Sequence, residues 1–164
     1  MAIDKVLSNE GQVRHYVDSP DKFAVGQTVR LEVDVPWRNQ QAAYHSAGHV
    51  LAAVVSECYP ELVGVAGHHW PGESRVDFDG QPPADIPAMT PKLEEALKAI
   101  VAANVALKVV GDPFVSRAVQ VGESVPVPCG GTHVRSTAEL GRVVIRSVKV
   151  KSGKTRVSYE VEPN

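Results

Sequence analysis

Alternation opens the chain: over residues 28–35, Val29, Leu31, Val33 and Val35 alternate with Thr28, Arg30, Glu32 and Asp34. That is the period of a strand with one buried face. Residues 1–35 are read as β elements, and Pro36, which has no amide hydrogen to give a ladder, ends the last of them. From about Asn39 to Cys58 the period becomes helical. At roughly 100° per residue, Ala47, Val50, Leu51, Val54 and Val55 gather on one side, with His45, His49, Ala52 and Ser56 opposite. The two histidines therefore stand off the core stripe.

Beyond Pro60 the pattern predicts strands over residues 62–66 and 74–78, joined through His68-His69-Trp70-Pro71-Gly72. A Gly/Pro-rich loop over 80–89 leads to a second helix. Thr90 is its expected N-cap, Pro91 its first helical residue, Glu94 and Glu95 lie in its first turns, and its end is near Lys108. Strands follow over 115–121, 141–150 and 155–161, and Lys151-Ser152-Gly153-Lys154 predicts a hairpin turn with Gly153 at positive φ. The element order implies an α+β fold, a largely antiparallel sheet with two main helices. Without repeats or low-complexity tracts, residues 1–164 read as one domain, with N-terminal β elements over 1–35 and the core over 36–164.

Composition narrows the class. The 164 residues are 43% apolar and 22% charged, and no stretch reaches the roughly 18 apolar residues of a spanning helix, so a membrane protein is not expected. The opening Met-Ala-Ile-Asp-Lys lacks signal-peptide character, which makes a cytoplasmic protein the expectation. In a reducing compartment Cys58 and Cys129 stay unbridged. Cys129 is then free to act as a thiolate ligand, and Cys58 reads as a packed thiol.

A net charge of −2 argues against coating nucleic acid by charge alone, yet seven of the 17 basic residues lie between Arg135 and Arg156. In isolation that run reads as a solvated strand face. Beside a reactive site it reads as a phosphate-binding edge.

The chemistry concentrates in two motifs. His45-Ser46-Ala47-Gly48-His49 places imidazoles at i and i+4, neighbours on one helix face whose Cβ atoms are about 5–6 Å apart. No Glu follows the first His, so the metalloprotease motif is absent. Cys129-Gly130-Gly131-Thr132-His133 offers a thiolate and an imidazole across a tight turn after Pro128. Each motif alone has a plain structural reading. Together they supply four ligands of the types zinc prefers, while His15, His68 and His69 form no competing set.

The pairing of His-x-x-x-His with Pro-Cys-Gly-Gly-Thr-His-Val about 80 residues later resembles the editing domain of alanyl-tRNA synthetases and its free-standing relatives, the AlaX proteins. His69-Trp70-Pro71-Gly72 with Arg75-Val76-Asp77-Phe78 resembles the family's segment between the motifs, and residues 136–141 and 153–161 resemble its ending. The resemblance covers the chain from about Val33 onward and its first 30 residues more weakly. It implies a Zn2+-dependent hydrolase that acts in trans to deacylate mischarged tRNA(Ala), with Ser-tRNA(Ala) the first expected substrate and Gly-tRNA(Ala) the second. His45, His49, Cys129 and His133 would hold the metal, and the turn amides of Gly130, Gly131 and Thr132 are candidate oxyanion donors. The partner is the aminoacylated acceptor end of tRNA, with Arg135, Arg142, Arg146 and Lys149 as phosphate contacts.

Where the family often has Thr before the second His, this chain has Gly48. A serine hydroxyl would then be read by Ser46 or Thr132, or the substrate is not serine; Gly48→Thr is expected to change the ratio of serine to glycine deacylation. Four protein ligands close a tetrahedral zinc site, so hydrolysis would need a displaceable ligand or a fifth position. Asp77 is a possible general base, although a structural strand Asp is the plainer reading. Trp37, Arg38 and Trp70 either line the substrate cleft or form ordinary rim structure. The competing functions are a non-catalytic zinc module that binds tRNA or protein, and a family member recruited to a different ester.

Overall fold

The computed structural model describes residues 2–9, 12–113 and 115–162. It divides into two compact units, Met1–Val33 and Asp34–Asn164. The first holds an antiparallel pair, β1 (Lys5–Asn9) and β2 (Gln12–Tyr16), and a 3-10 turn at Pro20–Lys22. Positions 10 and 11, inside the segment read as β, lie outside the described residues. The strand expected over 28–35 is absent: residues 28–34 have no regular structure, and Val29, Leu31 and Val33 are exposed. An alternating pattern makes a strand only when a neighbour completes its ladder, and these residues have none.

In the second unit, helix α1 spans Val35–Cys58 and starts earlier than its periodicity suggested. The Asp34 carboxylate accepts from the Trp37 N–H at 3.0 Å, and Pro36 sits in the first turn, where its missing N–H costs nothing. Pro36 thus opens a helix and does not close a strand. The expected core stripe is buried: Ala47, Val50, Leu51, Val54 and Val55. Helix α2 runs Ile86–Ala102, shifted upstream of the predicted span. Asp85 and not Thr90 caps it, accepting from the Ala88 N–H at 3.1 Å, and Pro91 falls inside the helix. Asn104, at a left-handed φ of 52°, prevents continuation to Lys108.

Strands β3 (Val63–His68), β4 (Arg75–Asp79), β8 (Arg142–Lys151) and β9 (Lys154–Glu162) form an antiparallel sheet ordered β3-β4-β9-β8. The β8–β9 turn carries positive φ at both Ser152 (51°) and Gly153 (75°), as a two-residue turn of the right twist requires. Val76 and Phe78 of β4, Val157 and Tyr159 of β9, and Val143 and Ile145 of β8 share one core with Val50 and Leu51 of α1 and Met89 and Leu93 of α2. A separate antiparallel sheet joins β5 (Leu107–Val110), β6 (Ala118–Val121) and β7 (Val127–Pro128). The fold is therefore α+β, and the strands among the described residues form three antiparallel sheets. No helix is long and apolar enough to cross a membrane among the described residues.

Candidate metal centre

Two pieces of chain converge on one point. α1 presents His45 and His49 one turn apart, with ring centroids separated by 5.1 Å. The second piece is delivered by the smaller sheet: Ala118 pairs with Pro128, and the Cys129 N–H donates to the Arg117 carbonyl at 3.0 Å, carrying the ladder one residue into the Cys129–His133 turn. Arg117 also grips the turn with its side chain, donating to the carbonyls of Cys129 (2.9 Å) and Gly131 (2.7 Å). Ser46, fully buried, closes the assembly by accepting from the Val134 N–H at 3.0 Å.

The donor atoms of His45, His49, Cys129 and His133 lie within 4.8 Å of one another. Cys129 Sγ is 3.2 Å from His45 Nε2 and 3.5 Å from His133 Nε2, close to the edge of about 3.5 Å that a tetrahedron with zinc's bond lengths would have. The Nε2 of His49 and the Nδ1 of His133 are buried without a hydrogen-bond partner. Buried ring nitrogens are normally satisfied, so an orphan on His49 within a closed donor set is what a metal ligand looks like without its ion. His45 makes a backbone hydrogen bond to Thr132, which orients its ring as outer partners of metal-bound histidines do.

Electrostatics point the same way. Burial first, then the neighbouring His45, His133 and His69, pushes the His49 imidazole from an ordinary 6.5 to about 3. Burial, then His45 and Arg117, lowers His133 to about 4, and burial is also the main cause that lowers His45. Neutral imidazoles at neutral pH keep their lone pairs available for a cation.

The glycines divide by role. A Cβ on Gly131 would meet the His45 ring at 2.0 Å, so the close approach of turn and imidazole requires glycine there, whereas Gly130 faces open space. The Gly131 N–H points at Cys129 Sγ, 3.5 Å away, and is engaged with the thiol. Since the Cys129 and Gly131 carbonyls face Arg117, the Gly130 and Thr132 N–H groups of the same planar peptides point away from it.

A cavity of about 760 Å³ opens from the cluster between α1, β3 and the β6–β7 strands. Its α1 wall is the face that periodicity set apart from the core: His45, His49, Ala52 and Ser56, with Gly48 beside them. Val63, Val65, Val119, Val121 and Val127 make the remainder largely apolar. His69, which the sequence placed in the segment between the two motifs but not among the site residues, belongs here. Its ring stacks on His45 at 5.0 Å, and its Nδ1 lies 2.7 Å from the Tyr159 hydroxyl. No sequence spacing linked His69 to the motifs; the β3–β4 connection brings it in.

The remaining candidates are dispersed. Ser46 is occupied with Val134 inside the core. Asp77 forms a two-pronged pair with Arg156 at 2.6 and 2.8 Å, and this pair holds its carboxyl below the usual range. Arg146 donates to the carbonyls of Gly72 (2.6 Å) and Ser74 (3.1 Å) and pairs with Glu160. Arg142 makes an exposed pair with Glu162, while Arg135 and Lys149 are exposed. Val157 and Tyr159 face the helices, so Arg156 and Ser158 face the other way. With Arg75 and Arg146 they line a shallow basic depression on the sheet's opposite face. Trp37 and Trp70 pair at 6.1 Å on the surface, outside the cavity lining, and Cys58 packs against the core.

Helices on one face of an antiparallel sheet, with a three-histidine, one-cysteine cluster that could hold a metal ion beside a largely apolar cavity, define an α+β domain with a candidate metal centre. Residues 116–158 match the family described as the threonyl and alanyl tRNA synthetase second additional domain. The chain is 26% identical to alanyl-tRNA editing protein AlaX-M of Pyrococcus horikoshii, an alignment covering 98% of this chain and 74% of that protein. It is 30% identical to the alanine–tRNA ligases of Mycolicibacterium smegmatis and of a Synechococcus strain, over 85% and 92% of this chain but only 18% and 19% of theirs. The chain is AlaX-like, a relative of the alanyl-tRNA editing proteins along nearly its whole length. It spans less than a fifth of the ligases it matches.

Proposed function

We propose that the chain is a zinc-dependent aminoacyl-tRNA deacylase of the cytoplasm that removes a seryl or glycyl group from tRNA(Ala). The observation that carries this reading is the closed His45, His49, Cys129, His133 donor set, of which His45, His49 and Cys129 line a cavity large enough for an aminoacyl group and part of a nucleoside. AlaX-M, similar to it over nearly the whole chain, is named an alanyl-tRNA editing protein.

Those four residues would hold the ion, and bound zinc supplies Lewis-acid polarisation to ester hydrolysis. The chain's own groups do the rest. The Arg117 side chain fixes the turn by its two carbonyls, so the thiolate and the His133 ring keep one geometry. The apolar walls keep bulk water from the ester, and the amides of Gly130 and Thr132 remain the turn's candidate donors to a developing oxyanion. The tRNA backbone would be met by Arg135 beside the cluster and by the exposed Arg142 and Lys149, with Arg75 and Arg156 on the same basic sheet face.

Deacylation of Ser-tRNA(Ala), Gly-tRNA(Ala) and Ala-tRNA(Ala) by wild type and Cys129→Ala, with zinc assayed on the same samples, tests the proposal. Selective cleavage of the seryl or glycyl ester that is lost together with zinc in Cys129→Ala is the expected outcome. Stoichiometric zinc with no turnover of any of the three would leave a non-catalytic zinc module or a different ester. Lys149→Glu should weaken tRNA turnover while sparing a small aminoacyl ester.

A further inference from the structure

His69 occupies a slot built for it. A Cβ on Gly48 would lie 2.3 Å from its Cε1, and a Cβ on Gly67 2.5 Å from its Nε2, so two glycines from separate elements leave room for one ring. The Tyr159 hydroxyl has a single proton and directs it to the Tyr44 carbonyl at 2.8 Å. It can only accept from the His69 Nδ1, 2.7 Å away. That chain puts the hydrogen on Nδ1, and the neutral ring is then left with a lone pair on Nε2. Nothing among the described residues hydrogen-bonds Nε2, while the ring lines the same cavity as His45 and His49.

We propose that His69 is a specificity-determining residue whose Nε2 accepts a hydrogen bond from the hydroxyl of a seryl group in this cavity. The inference rests on the deacylase reading above. An acceptor without a proton favours a ligand that brings one, and two donors are available on the seryl group itself, the α-ammonium and the side-chain hydroxyl. The surroundings choose between them. Arg117 already supplies positive charge at the cluster, and the metal site is built for a cation, so a second cation is disfavoured and a neutral hydroxyl is suited. Glycyl and alanyl esters lack that hydroxyl and would leave Nε2 unpaired, which is how a polar pocket discriminates. Tyr159 acts one step back as a positioning residue, because it holds the tautomer without touching the ligand.

The test is a comparison of ratios. The kcat/KM for Ser-tRNA(Ala) and Gly-tRNA(Ala) is measured for wild type, His69→Phe and Tyr159→Phe. Calorimetry adds the affinity of each protein for non-hydrolysable seryl and glycyl amides of 3′-amino-3′-deoxyadenosine. His69→Phe should lower the seryl rate and seryl-amide affinity by about tenfold or more, the scale of one lost hydrogen bond, and leave the glycyl values within about twofold. Tyr159→Phe keeps the packing and should shift the ratio in the same direction by a smaller factor. Parallel losses on both esters, or an unchanged ratio in both folded, zinc-loaded variants, overturn the role of His69 and leave the deacylase reading intact. A wild type that cleaves neither ester overturns that reading and this one with it.

Discussion

The Val134 N–H donates to the Ser46 hydroxyl at 3.0 Å, and this bond ties the segment after His133 to the helical residue after His45. The two halves of the donor set are thereby held by a contact that is not itself a ligand. Ser46→Ala would leave a half-buried amide without its acceptor, at a cost of about 1–3 kcal/mol. The expected outcome is a lower Tm and roughly tenfold weaker zinc binding, within the range reported for outer-shell partners, measured by competition with a chelating dye. Unchanged zinc affinity would mean the turn holds its geometry without α1.

Arg117 makes a second prediction. One guanidinium nitrogen serves the carbonyls of Cys129 and Gly131. Arg117→Lys keeps the charge but not the rigid planar group that places that nitrogen between the two carbonyls, and Arg117→Met keeps neither. Zinc affinity should fall in the order wild type, Lys, Met, with the Met variant's backbone amide exchange faster over residues 129–133. Equal affinities in all three would show that the β6–β7 ladder alone sets the turn.

The depressed imidazoles predict a pH dependence with a definite sign. His49 lies at about 3 and His133 and His69 at about 4, against 6.5 in an unfolded chain. Between those values the unfolded chain binds more protons than the folded one, so stability falls as pH falls through that window. The metal-free protein should have a nearly constant Tm above about pH 7 and lose stability steadily toward pH 4. Bound zinc should be released over the same range because protons compete for the ligands. His49→Gln should flatten the curve; a wild-type Tm that does not change from pH 7 to 4 contradicts the buried neutral cluster.

Gly48 yields a fourth. Its missing side chain is filled by the His69 ring and, at 2.9 Å, by the Tyr159 hydroxyl. Gly48→Ala should therefore displace His69 and not merely narrow the cavity, and Gly48→Thr more so. The expected signature is a changed histidine ring environment by NMR and a lower ratio of serine to glycine deacylation. An unperturbed His69 signal in folded Gly48→Ala would show that the ring has room to spare.

The four-residue donor set and the helix face that carries half of it were legible from sequence, because i,i+4 spacing and a Cys-x-x-x-His turn are local chemistry. The core stripe of α1 was legible for the same reason. Residues 28–34 misled, since Val29, Leu31 and Val33 alternate as a strand does but have no partner strand. The start of α2 misled because Thr90 and Pro91 imitate a cap that Asp85 supplies five residues earlier. His69 was visible in the segment between the motifs, but its place in the cavity was not legible. That place depends on a sheet connection and on two glycines in other elements, none of which shows as a spacing. The basic run from Arg135 to Arg156 was visible as charge, but strand alternation and the partners Gly72, Glu160 and Asp77 decide which of its members face solvent.

His45 and Cys129 stand 84 positions apart, yet their side chains meet at 3.2 Å. During synthesis the chain emerges with α1 first and with Cys129 and His133 long after it. A nascent chain stopped before Cys129 offers only two of the four donors, His45 and His49 one helical turn apart, a poor grip on any cation. The full grip forms when β6 and β7 have paired and the turn has docked on Ser46. Loading of an ion would then be a late event that marks the completed fold.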